Sequence, residues 1–332
     1  MKAFAVILAL ASLVVGDQGN GGRKQRVLLT NDDGWAVAQI RDEYNQLKAA
    51  GFDVILSAPA ENKSGTGSST AAPTVLNITC EFDTCPIGAP PTGTDAHDRN
   101  LHYVNAFPVN SVQFGIQDFA KATWGTKPDF TVAGTNIGNN LGPVVNISGT
   151  VGAACESTKE GVPSFAFSGA SGAQVSFTTL TDRTANTTII EHIHTSLVLK
   201  FLATYLPASE SSSHGRYDNR ATNNKGKGKG QGQQPQELVP AGFSVNINFS
   251  PTDVCKNDPK NYVWIATRLV PSTAGVDTPR CGSRNLPDET TVNAAGCFAT
   301  VSVFNVNSKS DAPAAAQKAV FDKLNSILRC KD

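Results

Sequence analysis

The chain has 332 residues, and 40% of them are hydrophobic, which is enough to bury a core in one large or two modest domains and excludes disorder throughout. Its 28 basic residues balance its 28 acidic residues, so its charge does not favour nucleic acid as a specific partner. Composition therefore indicates a globular protein, and its function must be read from the pattern of residues along the chain.

The first 16 residues have the pattern of a secretory signal peptide. Lys2 is followed by an apolar run that is too short to span a bilayer, and Val14 and Gly16 are small residues before a cleavage point. No later stretch approaches the roughly 20 apolar residues that a membrane helix needs. We therefore expect a signal peptide over residues 1–16, a secreted extracellular product with its domain over residues 24–332, and no membrane partner.

Strand and helix patterns alternate through the first half of the chain, which favours parallel βαβ units in an α/β fold. The predicted elements are, in chain order, a strand at Val27–Leu29, a helix at Val37–Leu47 ended by Gly51, a strand at Asp53–Ser57, a loop at Ala58–Thr70, a strand at Phe130–Ala133, a loop at Gly134–Gly142, a helix at Thr150–Glu160 and a strand at Ser164–Ser168. Loops that follow parallel strands meet at one edge of a sheet. These two loops and the segment that follows the first strand, three in all, should therefore converge on one rim.

The second half of the chain begins with a long amphipathic helix at Thr187–Leu206. Residues 209–236 are rich in Ser, Asn, Gly, Lys and Gln, with almost no apolar residues, and this composition predicts a mobile low-complexity insert. Three strands and a closing helix follow it: Phe243–Phe249, Tyr262–Leu269, Cys297–Val306 and the helix Ala312–Arg329.

Seven cysteines in a secreted chain imply disulfides and at least one free thiol. Cys80 and Cys85 are close enough in sequence to close a small loop. Cys155 is our candidate for the free thiol, since it lies in a helical run of small residues where a buried thiol packs as a small hydrophobe. The remaining four have three possible pairings, which the sequence leaves open: Cys255, Cys281, Cys297 and Cys330.

Five sequons for N-glycosylation fit a secreted chain: Asn62, Asn77, Asn146, Asn186 and Asn248. We expect Asn77 and Asn186 to be the occupied ones. Asn62 and Asn146 lie beside the predicted site described below, where a bulky glycan would obstruct it, so we expect these two to be bare or partly modified.

Oxygen ligands cluster in the three loops of the predicted rim. Asp32 and Asp33 directly follow the first strand, Ser64 lies in the loop NKSGTGSS, and Asn136 lies in AGTNIGNN. Carboxylate, hydroxyl and amide oxygens suit Mg²⁺, Mn²⁺ or Ca²⁺, whereas zinc prefers nitrogen and thiolate. The alternative is that Asp-Asp-Gly merely forms a turn, because Asp and Gly are ordinary turn residues.

A fourth segment has the features of an anion site. Ser148, Gly149 and Thr150 open the helix that begins GTVGAA, and a helix N-terminus offers free N–H groups and a positive dipole end. Simple N-capping by Ser148 is the alternative.

Four segments together resemble the signature motifs of the SurE (survival protein E) phosphatase/nucleotidase family. They are TNDDG at 30–34, NKSGTGSS at 62–69, AGTNIGNNLG at 133–142 and SGTVGAA at 148–154, in family order. The resemblance implies a Rossmann-like three-layer sandwich with a mostly parallel sheet. It also implies a divalent metal ion held by Asp32, Asp33, Ser64 and Asn136, and hydrolysis of a small phosphorylated substrate. We assign Asn31, Gly65, Ser148, Gly149 and Thr150 to phosphate binding.

With its signal peptide and its insert, the chain resembles a secreted, fungal-type acid phosphatase branch of that family. The chain departs from bacterial relatives at Asn105–Ser111 (NAFPVNS) and at Trp35, both of which bear on substrate preference. Family members assemble as dimers or tetramers through a C-terminal segment. By this resemblance, the strands after Phe243 and the final helix would serve a homodimer or homotetramer.

The hypothesis from the sequence is a secreted, divalent-metal-dependent phosphatase of the acid phosphatase or 5'/3'-nucleotidase type. Asp32 and Asp33 are its catalytic residues, since a cation between them would neutralise phosphoryl charge and one of them would assist a water molecule. Direct attack by Asp32 on phosphorus stays open as another mechanism. The alternative function is a secreted phospho-ligand-binding protein with the same fold and no turnover.

Overall fold

The computed structural model describes residues 23–206 and 237–331. The predicted signal peptide at 1–16 and the whole of the predicted insert at 209–236 lie outside the described residues. Within residues 23–206 and 237–331, no helix is long and apolar enough to cross a membrane.

A single sheet runs through the described part of the chain and contains ten strands. They are β1 (Arg26–Thr30), β2 (Asp53–Pro59), β3 (Thr92–Thr94), β4 (Leu101–Val104), β5 (Phe130–Ile137), β6 (Ser164–Gly169), β7 (Phe243–Phe249), β8 (Val263–Thr267), β9 (Phe298–Asn305) and β10 (Leu328–Arg329). Their order is β10-β8-β9-β7-β6-β5-β1-β2-β4-β3. Among these described strands only the pairs β3–β4 and β7–β9 are antiparallel.

Helices cover both faces of this sheet. The α-helices are α1 (Ala38–Ala49), α2 (Pro108–Phe114), α3 (Ala120–Trp124), α4 (Gly149–Lys159), α5 (Asn186–Tyr205), α6 (Glu289–Ala294) and α7 (Ala314–Lys323). Apolar side chains of α1, α5 and α7 belong to the core on one face, and those of α2 and α4 belong to the core on the other. The predicted α/β three-layer sandwich with a mostly parallel sheet is therefore confirmed.

Strand β1 illustrates why the sequence folds this way. Val27 and Leu29 pack into the core with α1, and Leu28 packs into the opposite core with α2 and α4. A strand covered on both faces needs apolar residues at every position, which is why the run has no polar alternation. The strand therefore lies at the centre of the sheet, between β2 and β5, and its carboxyl end carries the Asp-Asp pair.

Two predicted boundaries were wrong. Strand β5 continues through Asn136 to Ile137, so Asn136 belongs to the strand rather than to the following loop. The last helix ends at Lys323 instead of Arg329, and Leu328 pairs with Trp264 of β8. Asn325 and Ser326 are weak helix formers, and the chain turns there to bury Leu328 against the sheet.

The cysteines form three disulfides, which are Cys80–Cys85, Cys255–Cys297 and Cys281–Cys330. The first bridge is the one that the sequence predicted, and the other two select one of the three pairings left open. Cys155 is the free cysteine and is buried in α4, as predicted.

Candidate active site

The candidate site lies at the carboxyl ends of β1 and β5. The segment after β1 carries Asp32 and Asp33, β5 ends with Asn136 and Ile137, and the N-terminus of α4 abuts them. The topology therefore brings together the ends of two adjacent parallel strands and one helix N-terminus, as expected for ligand sites in open α/β sheets.

Asp32 is held at the start of α4. Its Oδ1 accepts a hydrogen bond from the Thr150 hydroxyl at 2.6 Å, and its Oδ2 accepts one from the Thr150 backbone N–H at 3.1 Å. Only 2% of Asp32 is exposed. Burial raises the pKa of its carboxyl, and the hydrogen bonds from Thr150 act in the opposite direction.

Asp33 is held from the other side, by β5 and by the loop after β6. Its Oδ2 accepts the Ile137 backbone N–H at 2.9 Å, and its Oδ1 accepts the Gln174 side-chain amide at 2.5 Å. Burial and then the charge of Asp32 raise its pKa well above the ordinary value. The two carboxylates thus repel each other in a place with little water to screen them.

The side-chain amide of Asn136 has a fixed orientation. Its Nδ2 donates to the Gly138 carbonyl at 2.6 Å, and its Oδ1 lies 3.3 Å from the Thr150 hydroxyl, which also bonds Asp32. The amide oxygen of Asn136 and the carboxylate of Asp32 therefore meet at one hydroxyl.

Ser64 and Gly65 lie in an exposed part of the rim. The neighbouring Lys63 donates its backbone N–H to the Asp32 carbonyl at 2.7 Å, which ties this loop to the Asp-Asp segment. The Ser64 backbone N–H is bound by the Asn62 side chain at 2.8 Å. The loop is therefore adjacent to Asp32 through its backbone, while the exposed Ser64 side chain has no described contact with either aspartate.

The other residues assigned to phosphate make local contacts. The side chain of Asn31 bonds both the N–H and the carbonyl of Gly34, and the Ser148 hydroxyl accepts from Val151 N–H and caps α4. Gly149 is packed so tightly that an added Cβ would lie 2.8 Å from Asp32 Oδ2. In this arrangement Ser148 is an N-cap, Asn31 shapes the turn, and Gly149 lets α4 approach the carboxylate.

Three side chains that contact the candidate site could not be recognised from the sequence. Gln174 bonds Asp33, Glu43 of α1 bonds Thr135 beside Asn136, and Glu81 packs over Gly34, where an added Cβ would lie 2.0 Å from its Oε2. Burial raises the pKa of Glu81 to about 7. These residues lie outside the four motifs, and nothing in their own neighbourhood of the sequence marked them.

The donor set fits a hard divalent cation. Within residues 23–206 and 237–331, no Lys, Arg or His forms an ion pair with Asp32 or Asp33, so two buried, adjacent carboxylates lack a positive partner. No group of three His, Cys, Asp or Glu side chains in those ranges is placed to hold a metal. A cation here would therefore need neutral oxygens, such as the Asn136 amide, beside the two carboxylates.

The family model described as survival protein SurE matches residues 27–268, which include every site residue named above. The chain belongs to the SurE family. The resemblance drawn from the four motifs is thereby confirmed.

Relatives of two kinds are similar in sequence to this SurE-family chain. An acid phosphatase from Yarrowia lipolytica is 33% identical over 329 residues, covering 89% of this chain and 83% of that protein. A 5'-nucleotidase SurE from Methanococcoides burtonii is 37% identical over 145 residues, covering 43% of this chain and 49% of that protein. The crystal structure of the SurE protein from Aquifex aeolicus aligns with a TM-score of 0.49 and 21% identity, covering 85% of this chain and 94% of that one.

Proposed function

We propose that this SurE-family chain is a phosphoric monoester hydrolase that uses a divalent cation, Mg²⁺, Mn²⁺ or Ca²⁺, bound by Asp32, Asp33, Asn136 and Ser64. The observation that carries the proposal is the pair of buried, adjacent carboxylates, which have no cationic partner in the part of the chain that the structure describes. The acid phosphatase of Yarrowia lipolytica, aligned over 89% of this chain, and the SurE 5'-nucleotidases support the reaction class.

The bound cation would supply charge neutralisation for the phosphoryl oxygens. The chain's own residues orient the site. Thr150 fixes Asp32, while Gln174 and the Ile137 N–H fix Asp33, so neither carboxylate has to reorganise during the reaction. One of the two aspartates accepts a proton from the attacking water. Gly65 and the start of α4 at Ser148–Thr150 border the place where the phosphate would bind.

An activity assay tests this function. Wild-type protein should release phosphate from p-nitrophenyl phosphate or from nucleoside monophosphates when Mg²⁺ or Mn²⁺ is added, and EDTA should stop it. Asp32→Asn and Asp33→Asn should each abolish release while circular dichroism and the thermal midpoint stay near wild type. Asp118→Asn, at an exposed position in the π-helical segment Gly115–Phe119 before α3, is the matched control and should keep full activity. Wild-type rates in either site variant would reject the assignment.

The alternative is a phospho-ligand-binding protein of the same fold without turnover. The segment Asn105–Ser111 would favour this alternative only if the segment blocked access of the substrate to the site. In the structure, the Asn110 side chain of this segment accepts a hydrogen bond from the Ala71 N–H at 3.1 Å. Tight binding of a nucleotide with no phosphate release between about pH 4 and 8 would support the binder. Metal-stimulated release supports the enzyme.

We also propose that the chain is secreted and glycosylated. Asn77 and Asn186 are exposed, as a glycan acceptor must be, whereas Asn248 is fully buried and bonds the Asn140 N–H. Mass spectrometry of protein from a eukaryotic secretory host should find glycans at Asn77 and Asn186 and an N-terminus near residue 17.

We propose a homodimer or homotetramer, with its contact in the C-terminal part. Strands β7, β8 and β9 are paired on both sides within the sheet, and β10 lies at its edge, so β10 and α7 are the available elements. Light scattering of purified protein tests the oligomeric state.

A further inference from the structure

Two carboxylates from the β1–α1 segment hold the backbone of β5 on either side of Asn136. Asp33 Oδ2 accepts the Ile137 N–H at 2.9 Å. Glu43 Oε2 accepts both the Thr135 N–H at 2.9 Å and the Thr135 hydroxyl at 3.0 Å. Asn136 therefore lies between two backbone amides that are each fixed by a buried acid.

The β5 backbone needs these acceptors because its ladder is interrupted there. The register between β5 and β6 shifts between Ala133 and Asn136. Gly134 passes so close to β6 that an added Cβ would lie 2.1 Å from the Phe167 carbonyl. A backbone N–H that leaves the ladder in a buried place must find another acceptor, since otherwise it loses its hydrogen bond to water and gains none in return. For Thr135, that acceptor is Glu43.

Glu43 is an unusual residue for its position. It lies in the middle of α1, on the face that packs against the sheet, and it is fully buried. A glutamate is almost never fully buried unless it is paired, and an apolar residue would fill this space without loss of hydration. Glu43 has no cationic partner among the described residues, and its only hydrogen bonds there are those to Thr135. Through these two hydrogen bonds, Glu43 binds the irregular part of β5, next to the predicted amide ligand Asn136.

We propose that Glu43 is a positioning residue for the cation site: by binding Thr135 it fixes the shifted backbone of β5 and so the orientation of the Asn136 amide. The inference rests on the proposed function, because it assumes that Asn136 binds the cation. Glu43 itself touches neither cation nor substrate. Its effect passes through one residue, from Thr135 to Asn136, whose Oδ1 already faces the hydroxyl that bonds Asp32.

Direct measurement of Mn²⁺ binding to metal-free protein, by calorimetry or by the electron paramagnetic resonance of free Mn²⁺, tests this proposal. Glu43→Leu should raise the Kd for Mn²⁺ by about 10- to 100-fold, as is usual when an outer partner of a metal ligand is lost. Glu43→Gln keeps an amide oxygen for Thr135 and should bind with near-wild-type affinity. Thr135→Val loses only the hydroxyl and should weaken binding less than Glu43→Leu does.

Glu191→Leu is the matched control. Glu191 is a carboxylate of similar burial on α5, the helix packed against α1, and its oxygens have no hydrogen-bond partner in the described structure. Its removal should leave the Kd for Mn²⁺ unchanged. Activity of Glu43→Leu should return toward wild type as Mn²⁺ is raised, which a general loss of folding would not produce.

Wild-type Kd in Glu43→Leu would overturn the inference while leaving the proposed function intact. An equal loss of affinity in Glu191→Leu would also overturn it, because any buried acid would then have the same effect. If Glu43→Leu does not fold, the Thr135→Val and Glu43→Gln pair decides, and equal affinity in Thr135→Val and wild type rejects the role of Glu43. Absence of Mn²⁺ binding by the wild type would reject the proposed function first, and this inference with it.

Discussion

Thr150 binds Asp32 through two groups at once, its hydroxyl at 2.6 Å from Oδ1 and its backbone N–H at 3.1 Å from Oδ2. The hydroxyl also lies 3.3 Å from Asn136 Oδ1. One residue at the N-terminus of α4 therefore contacts two predicted cation ligands, one from the segment after β1 and one from the end of β5.

Thr150→Val should lower phosphatase activity by about 10- to 100-fold, because it removes the hydroxyl shared by Asp32 and Asn136 and keeps the shape of the side chain. Thr150→Ser keeps the hydroxyl, so its phosphatase activity should stay within roughly a few-fold of the wild-type activity. Rates with p-nitrophenyl phosphate at saturating Mn²⁺ measure the difference. Equal rates in the valine and serine variants would show that the hydroxyl has no role.

Gln174→Leu should weaken Mn²⁺ binding by about tenfold, since Asp33 loses the amide bond to its Oδ1 and keeps only the one from Ile137 N–H. Gln117→Leu is the control. Gln117 also donates its side-chain amide to a carboxylate, Glu160, at 2.9 Å, but on the surface and away from the site. The same loss in both variants would contradict a specific role for Gln174.

Much of the fold could be predicted because its signals are local. The apolar run Val27–Leu29 and the strict alternation at Phe243–Phe249 mark strands through contacts that each strand makes along its own length. Asp32 and Asp33 could be assigned to the site because the carboxyl ends of parallel strands meet at one edge. Their position in the structure follows from the strand that precedes them.

The supporting residues could not be predicted because their signals are not local. Gln174 reaches Asp33 across 141 positions of sequence, and Glu43 reaches Thr135 across 92. Nothing near either residue indicates its partner. The end of α7 was misplaced for the same reason, since Leu328 leaves the helical pattern to pair with Trp264 in a distant strand.

Thiol counting tests the disulfide arrangement. Without reductant, the native protein should react with no equivalent of a thiol reagent, and the protein denatured in guanidinium should react with one equivalent, from Cys155. The reason is that Cys155 is fully buried and burial raises the pKa of its thiol to about 11, so it is neither accessible nor ionised. Three reactive thiols after denaturation would mean that one bridge is absent.

The pH dependence of stability should follow the buried carboxyls. Burial raises the pKa values of Glu43, Glu191 and Glu289 to about 8. The folded state then holds these protons more tightly than the unfolded chain, whose carboxyl pKa is about 4.3, so their stabilisation is present at low pH and is lost as pH rises toward 8. His102 and His194, with pKa values lowered to about 4 by burial, act in the opposite direction, but only below about pH 6.5.

The free energy of unfolding should therefore fall between about pH 6.5 and 8, where the buried carboxyls still lose protons and His192, whose pKa is raised by its hydrogen bond to Asp42, acts in the same direction. Glu191→Gln keeps the size of the side chain and removes its titration, so the fall should be shallower in this variant. Urea unfolding at several pH values measures both slopes. A wild-type free energy of unfolding that rises over this range, or a slope unchanged by Glu191→Gln, would be inconsistent with buried neutral carboxyls.

The cation site is the central claim, and anomalous diffraction from crystals grown with Mn²⁺ tests it most directly. We expect one strong anomalous peak about 2.0–2.6 Å from carboxylate oxygens of Asp32 and Asp33, with Asn136 Oδ1 and Ser64 Oγ in the same shell. The peak should vanish in crystals of Asp32→Asn grown under the same conditions. A peak bound elsewhere, or none at a Mn²⁺ concentration that supports activity, would contradict the account.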